Sequence, residues 1–158
     1  MTGSFIKVKA DDKVDENKTL LKKVFNTQYF AVLNSVGKGL PYSNLVSFTV
    51  TSDLRSIVFF TDRATRKYSN LKENSNVSLL IDNRSNGPSD IEEAVAITVI
   101  GNAREESERR KNLRELFLAR HPYLKEFIDD PNNALIIVEV SEYIIAGFKK
   151  TQRLVMSR

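Results

Sequence analysis

The sequence predicts a mainly β protein with helices, an α+β fold in which an antiparallel, closed or half-closed barrel is decorated by about three helices. Roughly seven short segments are apolar or alternate apolar with polar residues, which predicts strands. Most of their connections are short turns, and short turns join antiparallel neighbours. The 158 residues can bury one hydrophobic core, so we expect a single domain over residues 1–158.

The N-terminal part predicts one helix and three strands. Residues 1–13 are polar, and we expect them to be loosely ordered. Apolar residues at helical spacing predict a helix over residues 14–27. Strands are predicted at residues 29–35, 41–51 and 56–61, and their short connections predict an antiparallel meander.

The middle of the chain predicts a short helix followed by two strands. Residues 66–74 predict a helical turn, and residues 77–82 predict the strand after it. Residues 83–93 contain an Asn-Gly-Pro turn signal and predict a loop. The second strand is predicted at residues 94–103.

The C-terminal part predicts two helices and two strands. Residues 105–120 form the clearest amphipathic helix of the sequence, with an apolar stripe among charged residues. Pro122 interrupts that pattern, and residues 123–128 predict another short helix. The last strands are predicted at residues 134–140 and 143–148.

Two of the predicted strands are apolar on both faces, over residues 57–60 and 135–138. A small barrel leaves its outer face to solvent, so the outer residues of these strands need a cover. A second copy of the chain would supply one, and we therefore expect a homodimer.

Composition and charge argue against several classes of protein. The chain has no Cys, which excludes disulfides and Cys-ligated metals. The longest apolar runs are about half of the ~20 residues that a transmembrane helix needs, and the first residues lack the apolar segment of a signal peptide. We expect a cytoplasmic protein with no membrane partner. The 24 basic residues are mixed with 20 acidic ones, so the net charge of +4 does not indicate nucleic-acid binding.

The reactive side chains indicate a protein that relies on a cofactor. The chain has one His and no Cys, and it contains no spacing typical of a metal site, a nucleophile elbow or a dinucleotide-binding loop. His121 lies in a setting typical of a helix end, where a His hydrogen-bonds the last carbonyls. We predict no catalytic side chain and no metal site, and we favour a cofactor that carries its own electron chemistry.

Residues 59–71 are the most informative segment. An apolar strand ends near Thr61, and Thr65, Arg66 and Lys67 then begin the predicted helix. Two cations at a helix N-terminus are unfavourably placed in the helix dipole unless an anion binds there. Arg66 is suited to bidentate phosphate contacts, and Lys67 adds a point charge. The pattern predicts an organic-phosphate site to which Thr61 and Thr65 donate hydroxyl hydrogen bonds.

The order of strand, Thr-Arg-Lys helix and strand 77–82 resembles the flavin-binding core of the pyridoxamine 5'-phosphate oxidase-like family. The resemblance covers residues 17–150 and is to the short members of that family. The true oxidases carry an arginine- and tryptophan-containing C-terminal segment, whereas this chain has no Trp. The resemblance implies a split β-barrel of Greek-key type, FMN as the usual cofactor, and a homodimer that shares two sites.

The resemblance also implies further site residues. In the family, a strand equivalent to residues 41–51 runs under the isoalloxazine ring, so Asn44 and Ser47 are expected at the ring edge. Asn83 ends the strand after the helix and is expected near the phosphate. The implied activity is an FMN-dependent oxidoreductase that acts on an unknown small molecule, with NADH or NADPH as candidate electron donor.

Two other functions stay open. A non-catalytic module that binds a flavin, a deazaflavin or a haem is compatible with the same pattern. A nucleic-acid-binding barrel requires exposed aromatic residues interleaved with basic ones on a strand face, and Phe59 and Phe60 have no such neighbours. Bound pigment separates a cofactor-binding protein from a nucleic-acid-binding barrel. Reduction by NADH or NADPH separates an enzyme from a binding module.

Overall fold

The computed structural model describes residues 10–156. Helix α1 begins at Ala10, so residues 10–13 are helical rather than loosely ordered as predicted. Those residues contain no Gly or Pro, so their composition allows a helix. The remainder of the segment predicted to be loose, residues 1–9, lies outside the described residues.

The described residues form eight strands, five α-helices and one 3₁₀ helix at Pro122–Leu124. The helices are α1 (Ala10–Thr27), α2 (Arg66–Glu73), α3 (Asp90–Glu93), α4 (Arg110–Arg120) and α5 (Lys125–Asp129). The strands are β1 (Phe30–Gly37), β2 (Leu40–Ser47), β3 (Thr49–Val50), β4 (Ser56–Asp62), β5 (Asn76–Asp82), β6 (Ala96–Glu105), β7 (Asn133–Ala146) and β8 (Thr151–Val155).

The strands form one antiparallel sheet in the order β2-β1-β5-β6-β7-β4-β3, with β8 paired to β7. The two ends of this order, β2 and β3, follow each other in the chain and are separated only by Phe48. The sheet therefore curls round into a barrel that is split between β2 and β4. This is the split-barrel fold, mainly β with helices, that the sequence predicted.

Large apolar side chains fill the inside of the barrel. Phe48, Phe59 and Tyr143 are fully buried there, and α1 packs onto them through Leu21 and Phe25. The hydroxyl of Tyr143 donates to the carbonyl oxygen of Leu54 at 2.7 Å, so the one polar atom of that ring is satisfied.

A second apolar cluster covers the outside of β4 and β7, where we expected a partner subunit. Its buried members are Val58, Phe60, Leu113, Phe117, Ile128, Leu135 and Ile137. Three of these come from α4 and α5, so the chain's own helices cover the outer face of the two-sided strands. The two-sided strands therefore do not need a second copy as a cover, and this reason for predicting a homodimer is wrong. The sequence alone did not show that α4 and α5 pack on this face.

Strand boundaries differ from the prediction where a strand changes its partner. The strand predicted at residues 41–51 is interrupted at Phe48, because β2 pairs with β1 whereas β3 pairs with β4. The two strands predicted at residues 134–140 and 143–148 are one strand, β7. The pairing with β6 skips Ser141, so a bulge in β7, opposite Ile100 and Gly101, takes up the irregularity.

Three further boundaries were missed for local reasons. Strand β6 continues to Glu105, which pairs with Ile136, so α4 starts at Arg110 rather than at residue 105. Strand β8 has three polar residues followed by the buried Leu154 and the exposed Val155, and it shows no strong strand pattern. The loop predicted at residues 83–93 contains the short helix α3.

Candidate ligand site at the split of the barrel

A cavity of about 270 Å³ lies where β2 faces the end of β4 and the start of α2. Four of the seven residues predicted for the site, Ser47, Thr61, Thr65 and Lys67, line it together. The fold brings them together from three separate elements, because the split leaves a gap between the end strands of the sheet.

The cavity has a polar wall and an apolar wall. The carboxylate of Asp62 and the four residues just named form the polar wall. The apolar wall consists of Leu45, Val46, Phe60, Phe117, Leu124 and Phe127, of which the last three belong to α4, the 3₁₀ helix and α5. No sequence signal indicated that these helices reach the site, since their stripe of apolar residues is equally typical of ordinary core packing. The cavity suits a ligand with one polar end and one apolar end.

The two threonines shape the start of α2. The hydroxyl of Thr65 donates to the carbonyl oxygen of Asp62 at 2.7 Å and accepts from the backbone N–H of Tyr68 at 3.4 Å, which makes Thr65 the N-cap. The hydroxyl of Thr61, which is buried, lies 3.1 Å from that of Thr65. Both hydroxyl groups are engaged within the protein, and their role as phosphate donors stays a prediction.

Arg66 and Lys67 follow the N-cap, and neither forms an ion pair within residues 10–156. The first turn of α2 contains no acidic residue. Arg66 is exposed, and its guanidinium lies 4.5 Å from the ring centre of Tyr42. Lys67 is half-buried, and burial lowers the pKa of its amine, although the charge of Asp62 opposes the shift.

The local electrostatics of this helix start favour an anion. The backbone N–H groups of Arg66 and Lys67 have no acceptor among the described residues, as expected for the first turn of a helix. They add to the positive end of the helix dipole and to two side-chain cations. The half-buried Lys67 ammonium is only partly compensated by the charge of Asp62, and a bound phosphate would stabilise it further.

The structure places the two predicted asparagines outside the cavity lining. Asn44 shares the inner face of β2 with its partner Leu33, and its Oδ1 is buried without a donor among the described residues. Asn83 is exposed, and its Oδ1 accepts from the backbone N–H of Val95 at 2.7 Å. Asn83 thus braces the loop after β5, and its role near a phosphate stays a prediction.

One network beside the site was not foreseen. The guanidinium of Arg63 forms an ion pair with Glu105, and the hydroxyl of Tyr68 donates to the other carboxylate oxygen at 2.7 Å. The pKa of the Glu105 carboxyl is lowered, mainly by the hydrogen bond from Arg63. The sequence predicted a helix at Glu105. The structure instead places Glu105 at the end of β6, paired with Ile136 of β7, where it reaches Arg63 and Tyr68.

His121 is structural, although not in the manner predicted. It is fully buried, and its backbone N–H caps α4 at the carbonyl of Phe117. Its ring Nε2 donates to the carbonyl oxygen of Phe48 at 2.8 Å, rather than to a carbonyl at the end of its own helix. Burial lowers the pKa of the imidazole.

Within residues 10–156, no group of three or more His, Cys, Asp or Glu side chains has the arrangement of a metal site. None of the helices in that range is both long and apolar enough to cross a membrane.

Comparison with known proteins relates this arrangement to one family. The family model described as pyridoxamine 5'-phosphate oxidase matches residues 18–145, which include the split cavity and all of α2. No curated protein sequence matches the chain.

Several solved structures have the same fold. A heme binding protein from Mycobacterium smegmatis superposes with a TM-score of 0.77 and 16% identity over 90% of this chain and 57% of its own. General Stress Protein 26 from Bacillus anthracis superposes with a TM-score of 0.69 and 22% identity, over 88% of this chain and 99% of its own. An FAD-binding protein from Mesorhizobium loti superposes with a TM-score of 0.63 and 13% identity, over 79% of this chain and 88% of its own. At these identities the likeness is one of fold, and the chain spans little more than half of the mycobacterial protein.

Proposed function

This chain belongs to the pyridoxamine 5'-phosphate oxidase family, and we propose that it is an FMN-binding flavoprotein that oxidises or reduces a small molecule. One observation carries the proposal. Arg66 and Lys67 form no ion pair among the described residues, and they lie at the start of α2 beside a cavity with one apolar wall. FMN has a phosphate at one end and a planar, largely apolar ring system at the other.

The polar wall fits the phosphate. Arg66 is exposed, so its guanidinium can leave Tyr42 for a bidentate phosphate contact at little cost. Lys67 lines the cavity, and its lowered pKa reflects a desolvated amine that an anion stabilises. The N-cap Thr65 holds the free amides of the helix start in place for the same anion.

The strand and the apolar wall fit the ring system. Ser47 and Leu45 of β2 border the cavity on one side, and Phe60 and Phe127 border it on the other. These side chains would orient the ring and exclude water from one of its faces. When bound, FMN supplies hydride and electron transfer, and the protein residues bind, orient and shield it. NADH or NADPH is the candidate electron donor.

The site also supports a homodimer, for a different reason from the one predicted. About 270 Å³ falls just below the ~300–1,000 Å³ typical of small-molecule pockets, so one chain encloses only part of FMN. Leu45, which lines the cavity, and Phe30, which pairs with Ser47 beside it, are exposed by 66% and 58%. Register places both on the outer face of the sheet with Val32 and Leu80. We propose that a second copy covers this face and completes the site.

Haem is the second candidate ligand, because one similar structure is described as a heme binding protein. The only His of the chain argues against a His-ligated haem. His121 is fully buried, and its ring nitrogens contact Phe48 and Tyr123 at 2.8 and 3.4 Å. Flavin therefore fits the chain better than a haem held by His.

The test is the visible spectrum of the full chain purified without added cofactor, followed by mass identification of the released compound. The proposal predicts an oxidised-flavin spectrum and the mass of FMN. A deazaflavin mass would keep the binding site and change the cofactor. A haem spectrum, or colourless protein that does not bind added FMN, would contradict the proposal. Anaerobic bleaching by NADH or NADPH then separates an oxidoreductase from a binding module.

A further inference from the structure

We propose that Glu105 is a positioning residue for the phosphate-binding turn, defined here as residues 63–68. The inference rests on the proposed function, since it concerns how the chain aims Arg66 and Lys67 at a phosphate. Glu105 is the last residue of β6 and is fixed in the sheet by pairing with Ile136 of β7. A carboxylate on a rigid strand thus stands beside a turn that has to hold two charged side chains in place.

Glu105 holds the turn at both of its ends. One carboxylate oxygen accepts from the guanidinium of Arg63, the first residue of the turn. The other accepts from the hydroxyl of Tyr68, the last residue, at 2.7 Å. Arg66 and Lys67 lie between the two attachment points, so the single carboxylate constrains the segment that carries both cations.

A second element fixes the first residue of the turn. The guanidinium of Arg63 donates to the carbonyl oxygen of Pro131 at 2.8 Å, and its backbone N–H donates to that of Asn132 at 3.2 Å. These carbonyls belong to the loop between α5 and β7. With Arg63 held on that side, loss of the Tyr68 contact frees the end of the turn nearest Lys67.

This network differs from an ordinary surface ion pair. The Arg63 and Glu105 side chains are only 36% and 29% exposed, and both carboxylate oxygens have donors. An exposed, isolated pair contributes little because solvent screens it and two flexible chains must be ordered. Here the aromatic ring of Tyr68 and the strand position of Glu105 already restrict that freedom, which favours a defined geometry.

The charge of Glu105 makes the proposal distinguishable from a simple field effect. A carboxylate near the site repels phosphate, so its neutralisation alone would tighten FMN binding. A positioning role predicts the opposite sign, because Arg66 and Lys67 lose their alignment when the carboxylate is changed. Glu105→Gln keeps the shape of the side chain, and the direction of the change in FMN affinity decides between the two.

The principal variant is Tyr68→Phe, which removes one hydroxyl and no charge. Dissociation constants for FMN and for riboflavin, which lacks the phosphate, are measured by flavin fluorescence on the full chain. We expect FMN binding to weaken about three- to tenfold, the size of one typical hydrogen bond, and riboflavin binding to stay within about twofold, since its contacts do not involve the turn. A general loss of structure would weaken both ligands together.

Matched controls separate positioning from stability. Tyr143→Phe removes another hydrogen-bonded hydroxyl, the one that donates to Leu54, and should leave the ratio of FMN to riboflavin affinity unchanged. Glu142→Gln breaks an ion pair with Arg153 away from the cavity and serves the same purpose for Glu105→Gln. The effect of Tyr68→Phe should also vanish when Arg66 and Lys67 are both Ala, because no phosphate grip is left to misalign.

The possible outcomes distinguish failure of the proposed function from failure of the inference about Glu105. If the wild-type chain binds neither flavin, the proposed function fails and this inference fails with it. If the wild type prefers FMN and loses that preference in Arg66→Ala/Lys67→Ala, while Tyr68→Phe retains it, only the inference is overturned. Tighter FMN binding by Glu105→Gln would likewise overturn it. Selective loss of FMN affinity in both Tyr68→Phe and Glu105→Gln supports it.

Discussion

The ring nitrogen Nε2 of His121 lies 2.8 Å from the carbonyl oxygen of Phe48, the residue at which the chain leaves β2 and enters β3. This contact joins the end of α4 to the place where the sheet is split. A carbonyl only accepts, so Nε2 carries the proton, and a neutral ring then presents Nδ1 as an acceptor to the hydroxyl of Tyr123 at 3.4 Å. The geometry is compatible with a neutral imidazole.

This neutral histidine predicts loss of stability in mild acid. Burial, and then the charge of Arg120, lower the pKa of His121, while its bond to Phe48 opposes the shift. The unfolded chain therefore binds more protons between the ordinary His pKa of about 6.5 and the lower folded value. The free energy of unfolding should fall by at most about 1.4 kcal/mol per pH unit in that window. Urea unfolding from pH 8 to pH 5 measures it.

The variant His121→Gln isolates this contribution. Gln can donate to the Phe48 carbonyl but does not titrate, so the difference between wild type and variant should change with pH only in the histidine window. A difference that is constant from pH 8 to pH 5 would show that the folded pKa is not lowered.

We also predict that His121 takes no part in flavin chemistry. Its ring is fully buried and is not among the residues that line the split cavity. Loss of a true general acid or base typically lowers the rate by ~10²–10⁴. Stopped-flow reduction of the bound flavin in His121→Gln should stay within about threefold of wild type, far from that range. A hundredfold fall with flavin content intact would make His121 catalytic.

Gly101 should be intolerant of any side chain. It lies opposite the bulge in β7, where a Cβ would meet the backbone carbonyl oxygen of Glu139 and lie 2.9 Å from Cγ1 of Val138. Backbone cannot move aside as a flexible side chain can, so Gly101→Ala should lower the free energy of unfolding by about 1–3 kcal/mol. Gly147→Ala, whose Cβ would find no atom closer than 4.0 Å, should be close to neutral in the same urea experiment.

The proposed dimer predicts a monomer when charge is placed at the cavity mouth. Leu45 is 66% exposed and borders the cavity, and Ile91 is equally exposed, at 65%, on α3. Leu45→Asp should give the sedimentation coefficient of a monomer and weaken FMN binding, since the second copy would complete the site. Ile91→Asp is the matched control and should stay dimeric. A wild-type chain that sediments as a monomer with FMN bound would overturn the proposal.

Local sequence was sufficient to predict the barrel class and the start of α2. Alternating and apolar runs identify seven of the eight strands, although β2 and β3 were predicted as one strand and β7 as two. The N-cap and basic residues of α2 are contiguous, so Thr65, Arg66 and Lys67 could be recognised together. What could be predicted thus depends on residues within about one turn or strand of each other.

The remainder depends on how distant elements pack. The covering of β4 by Phe117 and the contact of Glu105 with Tyr68 join segments 37 or more residues apart, which no local pattern specifies. The strand pairing that directs Glu105 to the turn is set by register with β7. For the same reason Asn44 and Asn83 could be assigned to the site from a resemblance, while the structure places neither in the cavity wall.

The dissociation constant of FMN from Arg66→Ala/Lys67→Ala tests the central claim most directly. Each charge-assisted phosphate contact typically contributes ~1.5–3 kcal/mol, so FMN binding should weaken about 10²- to 10⁴-fold, or less if the neighbours are not additive. Riboflavin binding should be nearly unchanged. Lys149→Ala/Lys150→Ala removes the same charge from an exposed turn and should retain wild-type affinity. An FMN dissociation constant equal to that of the wild type in the double variant would contradict the account.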